Sequence, residues 1–88
     1  MGIQDHLWDF PCTHHLKVMG LSQYAIREIA IEVISKHAPD IDHDNIRSKA
    51  SRSGKYVSIT VPVTFTHKEQ VEAVFLDLHL RAEITTSL

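Results

Sequence analysis

From Tyr56 to Phe65 the chain alternates strictly, with Val57, Ile59, Val61, Val63 and Phe65 on one side and Tyr56, Ser58, Thr60, Pro62 and Thr64 on the other. A period of two predicts a strand with one buried face. Pro62 is the awkward member, because proline removes a ladder donor and suits a bulge or an edge position. A shorter version of the pattern runs from Thr13 to Met19, where Leu16 and Val18 oppose His15, Lys17 and Met19. Gly20 is expected to turn the chain after it.

Two stretches carry the helical period instead. Ile26, Ile29, Ala30, Val33 and His37 share one stripe, which ends at His37-Ala38-Pro39, where proline disfavours helical geometry at Ala38. Ser22 is the expected N-cap, with Leu21 and Ile26 as a hydrophobic staple, and Glu32 with Lys36 as an i,i+4 pair. Thr66-His67-Lys68-Glu69 reads as a capping box, opening a helix with Val71, Val74, Phe75 and Leu78 on one face. Ile31 and Leu76 fall beside these stripes and either pack between the helices, the favoured reading, or mark an oligomer contact. Weaker strands are expected at Ile46–Ala50 and through Ala82, Ile84 and Thr86, with Ser51–Lys55 as a hairpin turn in which Gly54 supplies a positive φ.

The resulting order is strand, helix, strand, strand, helix, strand. With each helix apolar on one side only, this predicts an α+β two-layer sandwich: a ferredoxin-like β-α-β-β-α-β fold with two helices on one face of a four-stranded antiparallel sheet. Right-handed crossovers place the first and third strands in the middle. Residues 1–12 read as a lead-in, with Trp8 and Phe10 as anchors and Pro11 extending the entry, and residues 13–88 as one domain.

Composition narrows the function classes. Nine basic and eleven acidic side chains give a net charge of −2, which does not draw the whole protein to nucleic acid or an anionic membrane. Protonating all seven histidines, one unit each, would move it to +5, which is read as a pH sensor or, by preference, as exposed histidines with no assigned role. No apolar run is long enough to span a membrane, and the first residues lack the basic start and apolar stretch of a secretion signal. The lone Cys12 has no internal disulfide partner, which fits a reducing cytoplasm. A chain of 88 residues buries a modest core, so self-association as a homodimer is expected to help it.

The ordered set Phe10-Pro11, Lys17-Val18-Met19-Gly20, His37-Ala38-Pro39, Ser53-Gly54-Lys55-Tyr56 with Ser58 and Thr60, Thr66-His67, and Glu69-Gln70-Val71-Glu72 resembles the YbeD-like family of small bacterial proteins of unknown function. The resemblance runs from about Leu7 to Leu88. It implies a fold like the ACT-type regulatory domain and a cytosolic protein. It also makes Lys17–Gly20 the counterpart of the turn that, in ACT domains, approaches a small ligand at a dimer interface. It supplies no catalytic residues, and Pro62 departs from the family's simply β-like strand.

Candidate chemistry is sparse. Gly20, Leu21 and Ser22, at an expected strand-to-helix junction, offer backbone amides to an anion or carboxylate, or they merely turn and cap the chain. Lys17, Arg47, Lys49, Arg52 and Lys55 make a basic patch, read either as solvated strand edges or as a weak RNA surface. The outward side of the third strand carries Tyr56 as its only ring, which argues against RNA stacking. Asp40, Asp42 and Asp44 open like a calcium loop, but Asn45 and Ser51 stand where glycine and glutamate are required. The histidines lack metal-ligand spacing, so neither a metal nor another cofactor is expected. No base or orienting group is signalled for Cys12 as a nucleophile. The sequence therefore predicts a non-catalytic regulatory or binding module, sensing a small metabolite or docking a protein partner by an edge strand or the open sheet face.

Overall fold

A computed structural model describes residues 9–87. Its elements are β1 (Cys12–Leu21), α1 (Ile26–His37), β2 (Arg47–Ala50), β3 (Tyr56–Phe65), α2 (Lys68–Leu80) and β4 (Ile84–Ser87), with a short 3-10 turn at His43–Asn45. The four strands form one antiparallel sheet in the order β2-β3-β1-β4, so the two long strands lie in the middle as expected. Both helices cover one face. Trp8 lies outside the described residues, whereas Phe10 packs against the core.

The core follows from the alternation. Leu16 and Val18 of β1 and Ile59, Val61, Val63 and Phe65 of β3 point to the helices and are buried, meeting Ile26, Ala30, Val33 and Ile34 of α1 and Val71, Val74 and Leu78 of α2. Burying one such aliphatic or aromatic side chain contributes about 1.5–3 kcal/mol. The register holds these sets together, because β1 pairs with β3 from Cys12↔Phe65 to Leu21↔Tyr56 without a break.

Pro62 sits inside this central strand without a bulge. In an antiparallel ladder the N–H and C=O of one residue point to the same neighbouring strand, alternating along the chain. The Pro62 carbonyl accepts from Asp42 N at 3.0 Å, and Thr64 N donates to Asp40 O at 2.9 Å. Pro62 therefore directs its backbone away from β1, to the gap between the end of β2 and the Ile41↔Val63 bridge. Its missing donor costs the β1–β3 ladder nothing.

Other local expectations are corrected. Gly20 does not turn the chain; the strand continues to Leu21, and Gly20 is buried beside an irregularity in the β1–β4 pairing. A Cβ there would collide with the Glu83 backbone oxygen and the Ile26 side chain, so the need for glycine comes from close approach. Ser22 is not an N-cap. Three residues turn the chain after Leu21, with Tyr24 N on Leu21 O at 3.1 Å, and the helix begins at Ile26 behind Ala25.

The second cap is also shifted. Gln70, not Glu69, reaches back, accepting from Thr66 N at 2.6 Å and from Thr66 Oγ1 at 3.0 Å. Its Nε2 donates to His37 O at 3.1 Å, tying the start of α2 to the end of α1. Across the helix pair, Lys36 meets Asp77 at 3.3 Å and Arg81 meets Glu32 at 3.7 Å, in place of the expected Glu32–Lys36 pair. Leu76 is not between the helices. It lies one residue, about 100° of helix turn, from Asp77 and is 61 % exposed, while Ile31 is half-buried. Gly54 takes its expected positive φ, at 78°.

Gly20→Ala is expected to destabilise the fold by about 1–3 kcal/mol, since neither the Glu83 carbonyl nor Ile26 in the packed core yields freely. Urea denaturation of the two proteins measures the difference; an unchanged midpoint and slope would show that the strand has room there.

Candidate functional site

The face of the sheet away from the helices is built by the outward positions of the same alternation. Register groups its side chains in rows: Arg47, Thr60 and Lys17 lie across three strands, and Lys49, Ser58, Met19 and Thr86 lie across four. Lys17, Arg47 and Lys49 are exposed, and among the described residues none is within ion-pair distance of a carboxylate. From the second row towards the hairpin end lies a shallow depression of about 240 Å³, lined by Lys17, Met19, Lys49, Ser51, Tyr56 and Ser58 with Ala50 and Val57. Lys55 Nζ stands 5.6 Å from the Tyr56 ring centre, at cation–π range.

The acidic side chains keep off the open face. The outward positions of β1, β2 and β3 and the outward Thr86 of β4 carry no acidic side chain. The described acidic residues lie before β1, on the helices, in the 38–46 connection and in the turn before β4. An overall charge near neutrality thus conceals a cationic sheet face, while the helices are mixed, with Glu28, Glu32, Glu69, Glu72 and Asp77 beside Arg27, Lys36 and Lys68.

Of the expected basic patch, the structure brings Lys17, Arg47 and Lys49 together. Arg52 and Lys55 sit in the turn at the end of the hairpin. Alternation alone marks Met19 and Ser58 as outward, but joining them to lysines needs the register, which the local pattern does not contain. The expected amide cluster at Gly20, Leu21 and Ser22 lacks the helix N-terminus it was argued from, because α1 starts at Ile26. Instead, Ser22 N donates to Lys55 O at 2.9 Å and Ser22 Oγ donates to Gly54 O at 2.6 Å and to Lys55 O at 3.1 Å. Those groups clasp the hairpin end.

The acidic loop has a backbone role: Asp40 and Asp42 bond the edge of β3, and Asp42 Oδ2 accepts from Asn45 Nδ2 at 2.7 Å. Among the described residues no group of three or more His, Cys, Asp or Glu side chains could hold a metal ion. No helix among them is long and apolar enough to cross a membrane. Cys12 is a half-buried free thiol.

In the helix layer, His37 Nε2 lies 3.0 Å from Asp77 Oδ2. This hydrogen bond, opposed by partial burial and supported by Lys36, holds the Asp77 carboxyl below its ordinary range. Asp77 is 26 % exposed, so the stabilisation is solvent-screened.

The fold and this face define a small two-layer α/β protein with one side of its sheet covered and the other open. The chain belongs to the family described as "Protein of unknown function (DUF493)", which matches residues 5–88. It is 36% identical over 77 residues to a UPF0250 protein of Azotobacter vinelandii, covering 86% of this chain and 84% of the relative. It is 40% identical over 74 residues to a UPF0250 protein of Shewanella putrefaciens, covering 84% and 82% respectively. The family is the YbeD-like one that the sequence resembles. The solution structure of protein HP0495 from H. pylori superposes with a TM-score of 0.72 over 92% of this chain and 85% of that one, at 14% identity, which speaks for the fold alone.

A lowered carboxyl pKa means that the ionised Asp77 stabilises the folded state fully above the unfolded value of about 4, and that this is lost as pH falls through the lower folded value. The stability difference between the protein and its Asp77→Asn variant is therefore expected to shrink below about pH 4. Urea denaturation across a pH series measures it; a difference constant down to the lowest pH would refute the cause given.

Proposed function

We propose that this protein is a non-catalytic binding module whose working surface is the open face of its sheet, and that what it holds there is anionic. One observation carries the reading: among the described residues, unpaired cations stand in register on a face without an acidic side chain, on a chain whose net charge is negative. Local fields of this kind steer an oppositely charged partner and exclude like-charged ones. The polar groups lining the depression are two ammonium groups and hydroxyls, with neither carboxylate nor imidazole to act as a base. Such a lining favours holding an anion over transforming it. In this role the protein acts as an adaptor.

A second reading, a regulatory module that senses a small metabolite, is favoured by the same depression, where Lys17 and Lys49 flank the apolar surface of Met19 and Tyr56. Its volume of about 240 Å³ lies below the roughly 300–1,000 Å³ of small-molecule sites. That size suits one carboxylate-bearing side chain better than a whole cofactor. Magnitude therefore puts the macromolecular partner first.

The test is a titration followed through backbone amide resonances, with succinate, a ten-residue polyglutamate and a single-stranded oligouridylate as probes. Polyglutamate is expected to move Lys17, Arg47, Lys49 and Ser58, with the effect weakening as salt rises to about 0.2 M. Movement by succinate alone would favour the metabolite reading. A face silent to all three probes, or shifts confined to the helices, would contradict both.

A further inference from the structure

Resting on that reading, the geometry points to a more specific partner: an extended acidic segment of another protein, added as a fifth strand along the free edge of β2. Among the described residues, β2 is held from one side only. Thr60 and Ser58 turn their backbone groups towards it, as Tyr56 does in accepting Ser51 N at 2.8 Å, so Arg47 and Lys49 carry the ladder bonds to β3. Ser48 and Ala50 then direct their N–H and C=O groups outward, and among the described residues nothing meets them. All four residues of β2 are exposed, while the helices pack on β1, β3 and β4.

The side chains say what fits. Arg47 and Lys49 project on the open face, and cross-strand neighbours of opposite charge stabilise a pair whereas like charges oppose it. A second copy adding through its own β2 would set Arg47 and Lys49 against the same two cations. An acidic strand meets neither objection. On the other face Ser48 and Ala50 are small, and the half-buried Val57 lies beside Ala50, leaving room for alternate side chains of modest size. A nucleic acid would find cations on this face but, among the described residues, only Tyr56 as a stacking ring. The β4 edge lacks such cations and follows Glu83. A cationic edge also serves simply to keep copies apart, and in that case no peptide binds.

The test uses the full chain and a fluorescein-labelled ten-residue peptide of alternating glutamate and threonine, read by anisotropy at low salt. Binding is expected to fall at least about ten-fold in the Arg47→Glu/Lys49→Glu protein, from loss of complementary charge. A comparable loss, about ten-fold or more, is expected in Ser48→Pro, which removes an outward donor while leaving the cations and the ladder bonds of residues 47 and 49. The same peptide N-methylated at every residue is expected to bind more weakly by a similar factor, about ten-fold. In the unaltered protein, bound peptide is expected to slow hydrogen exchange at Ser48 and Ala50, a readout that survives even if Ser48→Pro fails to fold. Peptide binding with unchanged exchange at Ser48 and Ala50, or equal binding of the N-methylated peptide, would overturn strand addition and leave the anion-binding reading intact. Tighter binding of oligouridylate at the same face would overturn it in favour of nucleic acid. No binding by any of these probes would sink the reading itself.

Discussion

Everything in this molecule depends on the ten-residue ladder between β1 and β3, and on the single-sided apolar alternation that it holds in register. Slipping either strand by one residue would send Val61, Val63 and Phe65 to the wrong side of the sheet and bring Lys17 into the core. With the register kept, one face can bury and the other cannot. The helices, apolar on one side, go to the first and leave the second open.

That division also explains the clasps at the edges. Because Leu21 pairs with Tyr56, the chain leaves β1 beside the hairpin end, and Ser22 meets Gly54 and Lys55. Because Gly20 has no side chain, the turn before β4 and the first residue of α1 can close over it. Gln70 then joins the end of α1 to the start of α2. The acids keep off the open face on the same frame: the helices and their connections hold them, and three strands align Arg47 and Lys17 across Thr60. A partner that recognises this protein through its open face is recognising the uncovered side of that ladder.

Much of this was legible in the amino acids. Alternation over Tyr56–Phe65 and Thr13–Met19 gave the inward residues correctly, and the helical stripes gave Ile26, Ala30, Val33, Val71, Val74 and Leu78. What escaped was the destination of polar groups that can bond any nearby backbone. Ser22 resembled a cap because the length of β1 is decided by pairing with β3, not by the residues around Gly20. The Thr66 cap belonged to Gln70 for a related reason: the helix starts one residue later than the motif suggested. Pro62 looked disruptive until the direction of its backbone relative to β1 was known. Five basic side chains were grouped as one patch, but that only Lys17, Arg47 and Lys49 of them stand together on the strands is a property of register across three strands. The depression, being a property of that same surface, left no local signal.

The open face is most directly tested by the potential above it. Proton relaxation of backbone amides, measured with an anionic and then a cationic paramagnetic cosolute of matched size, maps that potential residue by residue. The anionic probe is expected to act more strongly than the cationic one at Lys17, Arg47, Lys49, Ser58 and Thr60, with the order reversed along α2 and the Asp40–Asp44 segment. A ratio uniform over the molecule, or an excess of the cationic probe over the sheet, would contradict the account.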